Sequence, residues 1–93
     1  MSIIDKKIDS WLEKILTNNQ TFFYMTVCSD TYKECFAIDA LNHFIESTGY
    51  YVTLAKLSRC IKSMAGKYGF TFERSMSMHY SKNKAMRIYR LLK

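Results

Sequence analysis

The C-terminal stretch of the chain is written in a two-residue period. From Phe70 to Met78, apolar residues at 70, 72, 76 and 78 alternate with polar ones at 71, 73, 75 and 77, and Arg74 alone breaks the parity. After the run HYSKNK at 79–84, residues 85–92 alternate again, with Met86, Ile88 and Leu92 on one face and Arg87 and Tyr89 on the other. Successive side chains of a strand point to opposite faces, so both stretches read as half-buried strands and the polar run as their turn. A two-stranded hairpin is marginal by itself. The rest of the chain must therefore supply elements that cover its apolar face.

Those elements read mostly as helices. In residues 3–16, Ile4, Ile8, Trp11, Leu12 and Ile15 lie on one helical stripe. Ser2 is placed to cap this helix, Asp5 and Asp9 sit early and Lys14 late, as the helix dipole favours, and the polar TNNQ at 17–20 ends it. The aromatic and β-branched run TFFYMTV at 21–27 reads as a short strand. A second helix is expected over residues 31–48, capped by Ser29 or Asp30, burying Phe36, Ala40, Leu41, Phe44 and Ile45, and stopped by Gly49. Thr53 then caps a third helix reaching Gly69, in which Leu54, Leu57, Ile61, Met64 and Tyr68 recur at helical spacing. The order is helix, short strand, helix, helix, strand, turn, strand. That order predicts an α+β domain of the winged helix-turn-helix type, three helices with a small antiparallel sheet whose last hairpin is the wing.

Composition supports a single folded domain over residues 1–93. Hydrophobic residues make up 48% and aromatics 15%, too many for a disordered chain, and 93 residues leave no room for a second core. No apolar run approaches the roughly 20 residues that cross a bilayer. The opening MSIIDKKIDSW lacks the apolar block of a signal peptide, which predicts a protein that stays inside the cell and has no membrane partner. Cys28, Cys35 and Cys60 are odd in number and lack Cys-x-x-Cys spacing, so they read as buried reduced thiols. His43 and His79 do not join them at ligand spacing, and no metal or other cofactor is expected.

Charge is the informative asymmetry. Residues 1–50 hold four basic and seven acidic residues, whereas residues 51–93 hold ten basic residues and one acidic residue, Glu73. Such a half predicts a polyanionic partner. The third helix carries Lys56, Arg59, Lys62 and Lys67 away from its apolar stripe, and no acidic residue occurs between 47 and 72. Thr53 and the first backbone N–H groups of that helix are placed to receive a phosphate. The hairpin adds Lys82, Lys84, Arg87 and Arg90, with Tyr80 near its turn for stacking on a base. Tyr89 is expected to pack or stay half exposed rather than stack on a base. By contrast, the chain shows no Gly-rich phosphate loop, no His-Glu-x-x-His and no Gly-x-Ser-x-Gly. Asp39 and His43, four apart, read as a surface contact rather than an acid–base pair. Catalysis is not expected.

The run Phe44, Gly49, Thr53, Leu57-Ser58-Arg59, Ile61 and Gly69-Phe70, followed by Lys84-Ala85-Met86-Arg87-Ile88-Tyr89, resembles the C-terminal winged-helix domain of virus, phage and plasmid helicase-primases. The resemblance spans residues 22–93; Phe44-Ile45 stands where that family typically carries Trp-Cys, and the 93 residues do not include the helicase body. It implies DNA binding during replication of a virus or mobile element, in the cytoplasm or host cell. Together these readings predict a DNA-binding protein acting in replication or transcription control, as monomer or homodimer. Double-stranded DNA is the expected ligand, with single-stranded DNA as the alternative. Arg59 would contact a base and Thr53, Lys56, Lys62, Lys67, Lys82, Lys84 and Arg87 the backbone. A different class also fits the sequence: a protein-interaction module, such as a phage-encoded inhibitor of a host enzyme, docking replication or host proteins.

Overall fold

The structure is a computed structural model that describes residues 2–17, 25–28, 31–78 and 84–93. In chain order it contains α1 (Ile3–Thr17), β1 (Met25–Cys28), β2 (Tyr32–Phe36), α2 (Ala37–Thr48), α3 (Leu54–Met64), a 3-10 turn (Ala65–Tyr68), β3 (Thr71–Met78) and β4 (Ala85–Leu92). The strands form one antiparallel sheet in the order β1-β2-β4-β3. Among the described residues, no helix is long and apolar enough to cross a membrane.

Local chemistry sets the helix boundaries. The Ser2 hydroxyl accepts from the Asp5 backbone N–H at 3.2 Å and opens α1 as a cap. At the end of α2, Gly49 adopts φ 74° and its N–H reaches the Ile45 carbonyl at 2.8 Å. Left-handed backbone of that kind disfavours any residue with a Cβ, which is why glycine stops the helix there. Thr53 caps α3 as expected, accepting from the Lys56 N–H at 3.2 Å. The final turn differs from expectation. Helical bonding tightens to 3-10 geometry over Ala65–Tyr68 before Gly69, at φ 81°, releases the chain into the sheet.

The main correction concerns residues 31–36. They were expected to be the first turns of the second helix, but Tyr32–Phe36 form β2, at the centre of the sheet. Lys33 and Cys35 face the core in register with Leu91 and Tyr89 of β4, and Lys33 is 1% exposed, its stem lying on the apolar side. The backbone of β2 is paired on both edges, which outweighs the helical spacing of Phe36 with Ala40. Helix α2 begins only at Ala37, with Phe36 in extended conformation as its cap residue and no side-chain cap. The expected Ser29 or Asp30 cap and residues 21–24 of the expected first strand lie outside the described residues; β1 begins at Met25.

The core lies between the sheet and the three helices. Ile8, Leu12, Phe44, Leu57, Ile61 and Tyr89 are all buried there. Trp11 stands edge-on to Phe44 at 5.6 Å between ring centroids, and its indole N–H donates to His43 Nδ1 at 2.9 Å. Trp11 is therefore a core residue and not an exposed contact surface. The face of β4 turned to the helices is the one bearing Tyr89 and Leu91, while Ile88, on the other face, pairs with Phe36 of β2 and is buried as well. Burial on both faces is what a central strand experiences. It explains why Tyr89 lies in the core although alternation places it on the face opposite Met86, Ile88 and Leu92.

Candidate nucleic-acid interface

The cations anticipated on α3 separate into two groups. Lys56 and Lys67 are ion-paired with α1: Lys56 Nζ lies 2.9 Å from Asp5 Oδ1, and Lys67 Nζ lies 2.6 Å from Asp9 Oδ2. Asp9 also accepts from the Tyr68 hydroxyl at 2.6 Å, and the Cys60 thiol donates to Asp5 at 3.6 Å. Both carboxyls consequently titrate below the usual carboxylate range, Asp5 chiefly through its bond from Lys56 and Asp9 chiefly through that from Lys67. Its hydrogen bond to the Asp9 carboxylate pushes the Tyr68 phenol up to about 12. The counter-charge missing from residues 47–72 is thus supplied by a distant helix, and neither aspartate was recognised from sequence as part of this surface.

Arg59 and Lys62 form the other group. Both are exposed on α3 and neither makes an ion pair among the described residues. Between them and α1 runs an open groove lined by Asp5, Lys56, Arg59, Cys60, Ser63 and Met64. Thr53 stands exposed at the N-terminus of α3, but its hydroxyl is engaged in the cap.

The β3–β4 ribbon carries the remaining cations. Lys84 and Arg87 are exposed and unpaired among the described residues; Tyr80 and Lys82 lie outside them. Arg74, which broke the strand parity in the sequence, proves to be part of the same surface. It sits opposite Tyr89 in the ladder, while Met76 sits opposite Arg87, and Arg74, Ser75, Met76 and Arg87 line one shallow depression. Arg90 is engaged elsewhere: its Nε donates to Glu34 Oε2 at 3.0 Å, alongside the Tyr32 hydroxyl at 2.6 Å.

Ser58 and Tyr89 join the two cationic elements. Ser58 Oγ donates to the Leu54 carbonyl at 2.9 Å and bonds the buried Tyr89 hydroxyl. A serine has one hydroxyl hydrogen, so the tyrosine is the donor in the second bond. Phe72 packs edge-on against the Tyr89 ring at 5.0 Å. Burial raises the Tyr89 phenol above its ordinary value, keeping it protonated as this bond requires. The bond fixes α3 on the same side of the sheet that presents Arg74 and Arg87.

On this surface Arg59, Lys62, Arg74, Lys84 and Arg87 are exposed, cationic and without an ion-pair partner among the described residues. Among the described residues no cluster of His, Cys, Asp or Glu is arranged to hold a metal ion. Cys35 and Cys60 are free and buried, as expected for reduced thiols, and burial pushes the Cys35 thiol up to about 12, far from a reactive thiolate. No protein-family model, curated protein or solved structure matches the chain.

Proposed function

We propose that this chain is a winged-helix module that binds duplex DNA across α3 and the β3–β4 ribbon. The topology supports that reading. An α2–α3 pair joined through a glycine turn is followed by an antiparallel ribbon, and the sheet order β2-β4-β3 pairs the last strand with the one preceding α2. The strand β1 is an addition at the far edge. The resemblance to the winged-helix domains of helicase-primases fits the same reading, with a role in replication or transcription control of a virus or mobile element.

One observation carries the proposal. Lys56, Lys67 and Arg90 each have a carboxylate partner on α1 or β2, whereas Arg59, Lys62, Lys84 and Arg87 have none among the described residues. Exposed like charges on one small domain add self-repulsion and no packing, and a phosphate backbone is the ligand that such a set neutralises. The test is titration of a labelled random-sequence duplex with the wild-type protein and with Arg59→Ala/Lys62→Ala. Because both side chains are exposed, the double variant should keep its unfolding midpoint and lose affinity uniformly across sequences, its salt dependence flattening by about one contact per residue removed. Equal affinity for the two proteins would overturn the proposal.

A further inference from the structure

The ladder registers show that the sheet is not uniform along β4. Strand β2 covers β4 only from Leu92 to Ile88, whereas β3 continues beside β4 to the pair Met78–Ala85. Residues 76–78 and 85–87 therefore extend past the third strand as a two-stranded ribbon. Its two faces differ. The face continuous with the helix side bears Arg87 with Met76 and Met78, each methionine 58% exposed, and Arg74 at the ribbon's base, opposite Tyr89. The reverse face bears Ser75 and Ser77 opposite Ile88 and Met86. Glu73, the single acidic residue of the second half, belongs to the reverse parity and lies opposite Arg90, away from the arginine face.

We propose that this ribbon, rather than α3, is the element that enters the major groove, with Arg74 and Arg87 contacting base edges and Met76 in apolar contact between them. The inference rests on the duplex-DNA reading and deepens it. Paired strands stand about 4.8 Å apart before side chains are added, so a ribbon fits the roughly 12 Å major groove and not the roughly 6 Å minor groove. Arginine forks match guanine O6 and N7, and an exposed thioether suits the thymine methyl. Helix α3 is the poorer reader. Its Lys56 and Lys67 are held by α1 and its Thr53 hydroxyl by the cap, leaving Arg59 and Lys62, which suit phosphates. This reverses the roles expected from sequence, where Arg59 was the base contact.

Dimethyl sulfate interference on a pool of random-sequence duplexes tests the placement, because the reagent marks guanine N7 in the major groove and adenine N3 in the minor groove. The wild-type protein should deplete N7-methylguanine from the bound fraction. The double variant Arg74→Ala/Arg87→Ala should abolish that depletion, and each single change should weaken it, lowering preference for unmethylated guanine sites by about 5- to 150-fold, the worth of one bidentate contact. Both side chains are exposed, so unchanged unfolding midpoints should accompany the loss. Interference at adenine N3 instead, or N7 interference that persists undiminished in the double variant, overturns the ribbon placement and leaves the DNA-binding reading intact. Absence of duplex binding overturns both.

Discussion

Replacing Tyr89 with Phe should have opposite consequences depending on what stands at position 58. In the wild type, the buried Tyr89 hydroxyl donates to Ser58 Oγ, and Ser58 itself donates to the Leu54 carbonyl at 2.9 Å. Tyr89→Phe removes a donor and leaves Ser58 with its own bond, so no buried hydrogen is orphaned; the cost should be about 1 kcal/mol, the net worth of one hydrogen bond. In a domain of this size that lowers Tm by roughly 4–8 °C. Ser58→Ala instead strands the Tyr89 hydroxyl, at 1% exposure, with no acceptor, a penalty of about 1–3 kcal/mol partly offset by the better helix propensity of alanine. Adding Tyr89→Phe to Ser58→Ala then removes the stranded group, so the second change should be neutral or stabilising. Helix propensity cancels in this cycle, leaving a coupling of about 1–3 kcal/mol. Urea unfolding followed by the fluorescence of the single tryptophan, Trp11, measures all four proteins. Equal costs of Tyr89→Phe in the two backgrounds would refute the assignment of donor and acceptor.

Three further outcomes follow from other parts of the structure. Burial lowers the pKa of His43, partly opposed by Glu46, so the unfolded chain takes up the proton first; stability should be complete above about pH 6.5 and decline as pH falls below it, where protonation of Nδ1 also removes the acceptor of the Trp11 indole N–H. Urea midpoints at pH 7.5 and 5.5 measure this, and a midpoint that rises on acidification contradicts it. Gly49→Ala should destabilise by about 1 kcal/mol although open space surrounds the site, because φ is +74°, whereas Gly66→Ala, without a positive φ, should stabilise by about 0.4–1 kcal/mol; thermal melts of the pair compare them. Asp5→Asn/Asp9→Asn should free Lys56 and Lys67 and steepen the salt dependence of DNA binding by up to about 1.8 in log–log slope, as two additional phosphate contacts require; a parallel titration of wild type and variant reads the difference.

The elements that sequence exposed most clearly are those whose burial is one-sided. The stripe of α1, the Thr53 cap and apolar stripe of α3 and the Gly49 stop each follow from local spacing, and the structure has all of them. Strands β3 and β4 were legible as strands, but β4 is buried on both faces, so its alternation did not identify the core side. Strand β2 was hidden by Lys33, a charged residue whose stem lies in the core, and by Phe36, whose spacing to Ala40 imitates a helix. Neither signal is local, since only pairing with β4 decides the matter. The surface divided in the same way. Exposed Arg59, Lys62, Lys84 and Arg87 were legible from charge alone, but the neutralisation of Lys56 and Lys67 joins residues more than fifty positions apart. Arg74 was a parity violation in one dimension. In the ladder it becomes the diagonal neighbour of Arg87, across Tyr89 and Met76.

The most direct measurement of the central claim is the salt dependence of duplex binding. If Arg59, Lys62 and Lys84 each neutralise one phosphate, log K against log[salt] should fall with a slope of about −2.7, an affinity loss of roughly 40-fold between 50 and 200 mM salt. A slope near zero would contradict the assignment of this surface to nucleic acid.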